Sequence, residues 1–446
     1  MPPLRVDTDV ADADVAVAVP HPTIPAAPSR GAALMRALAA PLLIAVVVQN
    51  AGNLILHAVL GRFLTADQYG ALGTLLSLMI LLTVPLSALQ AAASKGAATG
   101  PSAKAAQRRS VRTLVIAAVV ATLVVAAMAP LPTALFHLDS ATDALLLGPF
   151  VGVSIALAVV RGRLLGLDQR RGIRAVAVTF VISTAARLAI AFATLSTLGT
   201  TGAIVATLVG ECLALGYGLL ALRPTTAASA GAPGPHPWLT AADMGWSSLA
   251  IGGLFLFTTV DLFLARHFLS GDASGGYVAA ATIGKTLLAL PAAALAAAYP
   301  RLVGVGRGPG RLAELRRTGI VVAGLAILAA LVVAAFPNLV LDLLYGDSFD
   351  TQADVVRILA LIAGVSSIVS VATYALLAVG SRLSLLPWVG AGLQGAAIAV
   401  WHDSAITVAL ASAGALVITL AICLIALRID VRRIDVRKGE PRVHHA

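Results

Sequence analysis

Four ionisable side chains interrupt stretches of sequence that are otherwise fit for hydrocarbon: Arg187, Glu211, Asp261 and Lys285. An ionised group at the centre of a membrane helix costs at least about 2.5–3.5 kcal/mol on insertion scales, so each of these must face protein or water and not lipid. Two chemistries fit the set. Arg187 with Glu211, and Asp261 with Lys285, are of opposite sign and would neutralise each other as structural ion pairs. Alternatively they line a hydrated cavity, the cations meeting an anionic ligand and the carboxylates carrying a counter-charge, a proton or Na⁺. The two uses overlap, because a cavity pair can exchange partners.

The elements that must hold these residues follow from composition. Of 446 residues, 59% are hydrophobic and only 12% charged, with a mean hydropathy of +0.93. A soluble chain carries about 25% charged residues. Apolar runs near 20 residues recur, each long enough for a hydrocarbon core of about 30 Å. The expected fold is all-α and multi-pass, with twelve spans near 37–60, 70–93, 113–133, 144–161, 174–196, 201–222, 246–269, 275–299, 318–341, 353–378, 384–401 and 405–427. At a rise of about 1.5 Å per residue, the four ionisable groups fall about 12–15 Å below one membrane boundary, close to the midplane. Each half contributes one cation and one anion on consecutive antiparallel helices.

The net charge of +10 is concentrated in short loops and in the tail RIDVRRIDVRKGEPR, without interleaved aromatics. This is the pattern of orientation signals and not of nucleic-acid binding. Lys95, Lys104, Arg108, Arg109 and Arg112, then Arg161, Arg163, Arg170, Arg171 and Arg174, then Arg301, Arg307, Arg311, Arg316 and Arg317 all fall on one side. Both termini are therefore expected in the cytoplasm. Residues 1–36 read as a disordered tail, 37–222 as a lobe of helices 1–6, 223–245 as a Pro/Gly/Ala-rich cytoplasmic linker, 246–427 as a lobe of helices 7–12, and 428–446 as a basic tail. Cys212 and Cys423 lie inside predicted spans and form no disulfide framework.

The halves repeat. Asn53-Leu54-Ile55-Leu56 matches Asp261-Leu262-Phe263-Leu264, Tyr69-Gly70-Ala71 matches Tyr277-Val278-Ala279, and Thr74 matches Thr282, all at an offset of 208 residues. Each copy then reaches a proline, Pro85 or Pro291, expected to bend its helix. With six spans on either side of the linker the copies are parallel repeats, related by an axis along the membrane normal.

Several stretches resemble the polysaccharide-transporter branch of the MOP exporter superfamily, the Wzx-type flippases of lipid-linked oligosaccharides. They are NLILHAVLGRFLTADQYGALGTLLSLMILLTVPLSALQ, the basic loop RGRLLGLDQRRG, the hairpin DLFLARHFLSGDASGGYVAAATIGKTLLALPAAALAAAYP and the loop LLYGDSFDTQADVVRILA. The resemblance implies two six-helix bundles in a V around a cavity that opens alternately to either side. It implies outward movement of an undecaprenyl-diphosphate-linked sugar or related glycolipid across a bacterial cytoplasmic membrane, in company with envelope-glycan biosynthesis proteins. Arg187 and Lys285 would then contact the anionic headgroup, Arg as a planar fork and Lys as a point charge. The MATE exporters share the architecture, so H⁺- or Na⁺-coupled export of small cations is the alternative.

Asn50 and Asn53, three apart and so on one helical face, are candidates for hydrogen bonds to sugar, against the commoner use of such residues in helix packing. Gln90 and Gln394 have the same two readings. Arg266 and His267 are expected to snorkel to the interface. No nucleotide loop, HExxH or Cys/His cluster occurs, so neither an enzyme nor a cofactor is expected. A membrane glycosyltransferase and a passive scaffold are the readings from other classes; the first needs clustered charges in a sizeable loop, and the second leaves midplane charges without a use.

Overall fold

The structure, a computed structural model, describes residues 30–99, 104–167, 169–222, 241–304, 309–346, 349, 352–378 and 380–439, with side chains over a narrower set that omits 288–316 and 430–439 among others. Residues 1–29 of the expected N-terminal tail, the linker to residue 240 and the end of the basic tail lie outside the described residues, whereas residues 30–36, expected in that tail, are helical as the start of α1. Those described are helical, with no β-strand. The first half comprises α1 (Arg30–Phe63), α2 (Ala66–Thr83), α3 (Leu86–Thr99), α4 (Lys104–Ala127), α5 (Pro130–Leu135), α6 (Ala141–Leu145), α7 (Leu147–Leu167) and α8 (Gln169–Leu222). The second comprises α9 (Ala241–Phe257), α10 (Val260–Phe268), α11 (Gly271–Gly304), α12 (Pro309–Ala335), α13 (Pro337–Tyr345), α14 (Ala353–Ala378), α15 (Leu386–Val400) and α16 (Ala405–Gly439).

Eight helical segments are long and apolar enough to cross a membrane, or ten if each of two bent pairs counts as one. The longest of them, Arg171–Leu222, is too long for one crossing. It turns at Gly199, whose φ of 50° suits glycine. The Ser183 hydroxyl reaches Glu211 at 2.7 Å, so the two arms lie side by side as the expected spans 5 and 6. The expected span 8 runs into residues whose side chains are not described.

Two spans differ from expectation. Span 7 is broken between α9 and α10, which meet at 41°. Thr258 and Thr259 both turn their hydroxyls onto the Phe255 carbonyl, at 3.0 and 2.6 Å. Adjacent back-bonding threonines compete with the helical ladder and bend it. Span 9 stops at Ala335, and α13 leaves α12 at 86°, with Pro337 starting the new helix. Arg62 of α1 then caps α13, donating from Nη2 to the Leu343 carbonyl at 2.7 Å and from Nε to that of Leu344 at 3.2 Å.

The prolines also diverge. At Pro85 the helix is interrupted between α2 and α3, whereas α11 runs unbroken through Pro291. The supposed basic loop RGRLLGL is helical to its end, because Gly162 and Gly166 let α7 lie directly on α3. A Cβ at either would overlap the carbonyl of Gln90 or Ser94. Glycines four apart are a common means of such close approach in membranes. Arg161 is half-buried there, its guanidinium 4.0 Å from the Phe180 ring centre and its Nε donating to Thr179 at 2.9 Å.

The largest hydrophobic core does not belong to either half. It joins Leu56, Leu60, Leu72 and Leu75 of the first to Leu262, Val278, Leu341 and Val356 of the second, and α2 packs along α11 at its centre. Replacing Gly162 with Leu is expected to cost about 1–3 kcal/mol or more by overpacking, seen as a lower Tm in detergent. Gly216→Leu, with nothing within 4 Å of its Cβ position, should leave Tm unchanged.

Candidate functional site

Asp261 stands in the first turn of α10, made a helix N-terminus by the Thr258–Thr259 break. A carboxylate is stabilised there by the unpaired N–H groups and the helix dipole. It is 6% exposed. Its Oδ2 accepts from the Tyr277 hydroxyl at 2.9 Å, while Oδ1 is buried and makes no hydrogen bond.

Of the two readings of the four charges, the structural ion pairs are not formed. Among the described residues no carboxylate lies within 4.0 Å of the Arg187 or Lys285 cation. Each of the four groups binds a neutral partner instead. Arg187 donates from Nη2 to Asn53 Oδ1, and Glu211 accepts from Ser183. Lys285 reaches across to Ser77 on α2 at 3.4 Å. The carboxylates are thus held within their own halves, and the Lys285 ammonium touches the opposite one.

Asp261 and Lys285 line one cavity in the second half together with Thr258, Ser366, Gln394 and Ser412, with about 40 Å³ of room for water centres. That suffices for a few waters at about 10–15 Å³ each. Gln394 Oε1 is a second buried acceptor without a hydrogen bond. Lys285 is the wall between this cavity and the seam between the halves.

Asn50, Asn53 and His57 follow one another at three and four residues on α1, on one face. Asn50 is half-buried without a hydrogen bond, and Asn53 holds Arg187. His57 was not legible as a site residue by its own type; its spacing from the two asparagines was the available signal. Arg187 and Lys285, from opposite halves, both act on it electrostatically. The repeat could likewise have found Ser77, which sits 208 residues before Lys285.

Toward the face bearing Asp67, Ser140 and Ser270 the halves close tightly. Arg266, expected to snorkel, is instead 3% exposed. It donates to Asp67 Oδ1 and Ser274 Oγ from Nη1, to the Phe136 carbonyl at 2.9 Å from Nε, and to that of His137 at 3.3 Å from Nη2. Asp67, Phe136 and His137 belong to the first half, and Arg266 and Ser274 to the second. Its planar fork suits such many-sided recognition. The neighbouring His267 stacks on His137 across the same seam, centroids 5.7 Å apart. Beneath this latch α2 and α11 approach backbone to backbone; a Cβ on Gly275 would overlap the Ala66 carbonyl. Tyr69, Tyr345 and Phe349 complete the closure, with ring centres 5.3–5.6 Å apart. Toward the opposite face the halves touch again where the Ser87 and Ser248 hydroxyls stand 3.5 Å apart.

No family model matches the sequence, and no curated protein matches it. Solved structures do. The chain is similar to lipid II flippase MurJ in an inward closed conformation, with a TM-score of 0.65 at 11% identity over 88% of this chain and 87% of that one. It is similar to a multidrug resistance MATE family transporter of the MOP superfamily in an inward-facing conformation, with a TM-score of 0.63 at 15% identity over 88% and 96%. Against an outward-facing structure of that kind the score is 0.54 at 14% identity over 90% and 96%. The fold is the one these proteins share.

If Arg266 holds the Asp67 face shut, its loss should expose the seam. In an Arg266→Gln background, a cysteine placed at the fully buried Val278 should react with a hydrophilic maleimide at least about tenfold faster, corresponding to about 1.4 kcal/mol of lost closure. An unchanged rate would show that packing alone closes it.

Proposed function

We propose that this chain is a secondary transporter, a flippase that moves a lipid-linked oligosaccharide or related envelope glycan precursor outward across the bacterial cytoplasmic membrane. The halves 37–222 and 246–427 act as the two lobes and rock by alternating access, with the termini in the cytoplasm and the Asp67 face outward. One observation carries the reading: the Lys285 cation reaches across the space between the halves, while both carboxylates are tied to partners within their own. Lys285 bonds Ser77 of the opposite half, whereas Glu211 and Asp261 bond Ser183 and Tyr277 of their own; Arg187, held by Asn53 of its own half, acts electrostatically on His57 together with Lys285. A central site of that sign attracts a lipid diphosphate and repels a cationic drug.

Because both cations have neutral partners, an arriving diphosphate displaces a hydrogen bond and not an ion pair. The two carboxylates keep the net charge of each half low, so the cations do not trap the product. Asp261, with one oxygen unengaged in a cavity with room for water, offers a place for a coupling H⁺ or Na⁺. Biosynthetic enzymes of envelope glycans are the natural suppliers of the cargo.

Deletion of the gene followed by analysis of undecaprenyl-linked intermediates tests this. The expected result is accumulation of one lipid-linked glycan; unchanged levels of all of them with new sensitivity to cationic dyes would replace the proposal with MATE-like export. In reconstituted vesicles, Arg187→Gln and Lys285→Gln should each lower transport at least about tenfold, as expected when one partner of a desolvated charge contact is truncated. Asp261→Asn combined with Lys285→Met separates scaffold from function. Wild-type folding and transport in that double variant would show that neither charge is needed and overturn the role given to Lys285.

A further inference from the structure

His57 has a hydrogen-bond arrangement that the transport reading does not use. Its Nδ1 lies 3.0 Å from the Tyr69 hydroxyl. The Tyr69 and Tyr345 hydroxyls are 3.1 Å apart, and Tyr345 donates to the Ala279 carbonyl at 3.3 Å. A carbonyl can only accept, and each phenol has one proton to give. Counted from the carbonyl, Tyr345 spends its proton on Ala279 and Tyr69 spends its own on Tyr345. The bond to His57 must then be donated by Nδ1–H. In the neutral ring the other nitrogen, Nε2, is a bare acceptor. It makes no hydrogen bond in the protein, and the ring is only half-buried.

The surroundings of the ring draw on both halves. Asn53 lies one turn away on α1, Tyr69 on α2, Arg187 on α8, Lys285 on α11 and Tyr345 on α13. A sugar diphosphate ester carries one negative charge per phosphate, and one cation from each half matches them. What is left over at the same depth is a polar strip on α1: the unbonded Asn50, the Asn53 amide nitrogen and the His57 lone pair. We infer that His57 is a specificity-determining residue: locked in its Nδ1–H tautomer by a chain that crosses between the halves, it offers Nε2 to a hydroxyl or acetamido N–H of the sugar next to the diphosphate. The inference rests on the flippase reading and names what its site recognises beyond the phosphates. It also makes the sugar contact dependent on closure of the Asp67 face, since Tyr345 and Ala279 belong to the other half.

A site built to hydrogen-bond a donor discriminates strongly against a ligand that lacks it. The test compares binding of two probes to the full chain in nanodiscs: a polyprenyl diphosphate bearing one N-acetylhexosamine, and the same polyprenyl diphosphate without sugar. The wild type should prefer the sugar-bearing probe by about tenfold or more, the scale of one well-placed hydrogen bond at about 1.4 kcal/mol. In His57→Asn the side-chain amide can still donate to Tyr69 but Nε2 is gone, and the preference should fall to near unity while affinity for the bare diphosphate is kept. His57→Phe, which fills the volume without either nitrogen, should behave the same way and serves if the first variant does not fold. Retention of the full sugar preference in either variant overturns the inference and leaves the flippase reading standing. Failure of the wild type to bind the bare diphosphate overturns both.

Discussion

A charge brought to the middle of a bilayer has to be matched, and the kind of match decides what the charge can do next. A buried cation paired with a buried carboxylate is locked, since separating them leaves two uncompensated charges. Here Arg187, Glu211, Asp261 and Lys285 are each matched by an amide or a hydroxyl. Such contacts stabilise less than an ion pair in a low dielectric and are exchanged at lower cost. Much of the architecture serves this arrangement. The Thr258–Thr259 break provides Asp261 with a helix N-terminus, and the Gly199 turn brings Ser183 against Glu211. Close packing of α2 on α11 puts Ser77 within reach of Lys285.

The strong interactions lie elsewhere. At the Asp67 face Arg266 makes three hydrogen bonds across the seam, one of them an ion pair, over an aromatic cluster and a glycine contact. The contrast suits the proposed rocking of the two lobes: firm at the Asp67 face, loosely tied around the proposed site. α13 extends the closure. It belongs to the second half in sequence, yet its final carbonyls are held by Arg62 of the first.

The sequence was informative wherever hydropathy or repetition carried the signal. The all-helical multi-pass fold follows from span lengths alone. Equivalent residues in the two copies also behave alike locally: Thr74 and Thr282 both bond the carbonyl four residues back, at 2.8 Å. Tertiary partners were not legible. Nothing in FTTVDLFLARHFL distinguishes an arginine that snorkels from one buried against residues 67, 136 and 137, because those neighbours are about 130 or more residues away. The same is true of the supposed ion pairs, where opposite charge at equal depth suggested a contact that Asn53, Ser77, Ser183 and Tyr277 make instead. Broken spans were missed for a different reason: α9 with α10, and α12 with α13, keep an apolar composition across the break, so window hydropathy does not register it.

Ser77 and Lys285 occupy equivalent positions of the repeat, and they touch each other. A residue at such a position meets its own counterpart across the pseudo-symmetry axis. In a perfectly duplicated chain, lysine at both places would set two ammonium groups head to head in a dry interface, and serine at both would leave no charge there at all. One central cation at this point is therefore attainable only after the copies have ceased to be identical. The unmatched positive charge that Lys285 brings to this point is a mark of divergence as much as of chemistry, and a reconstructed symmetric ancestor could not have had it.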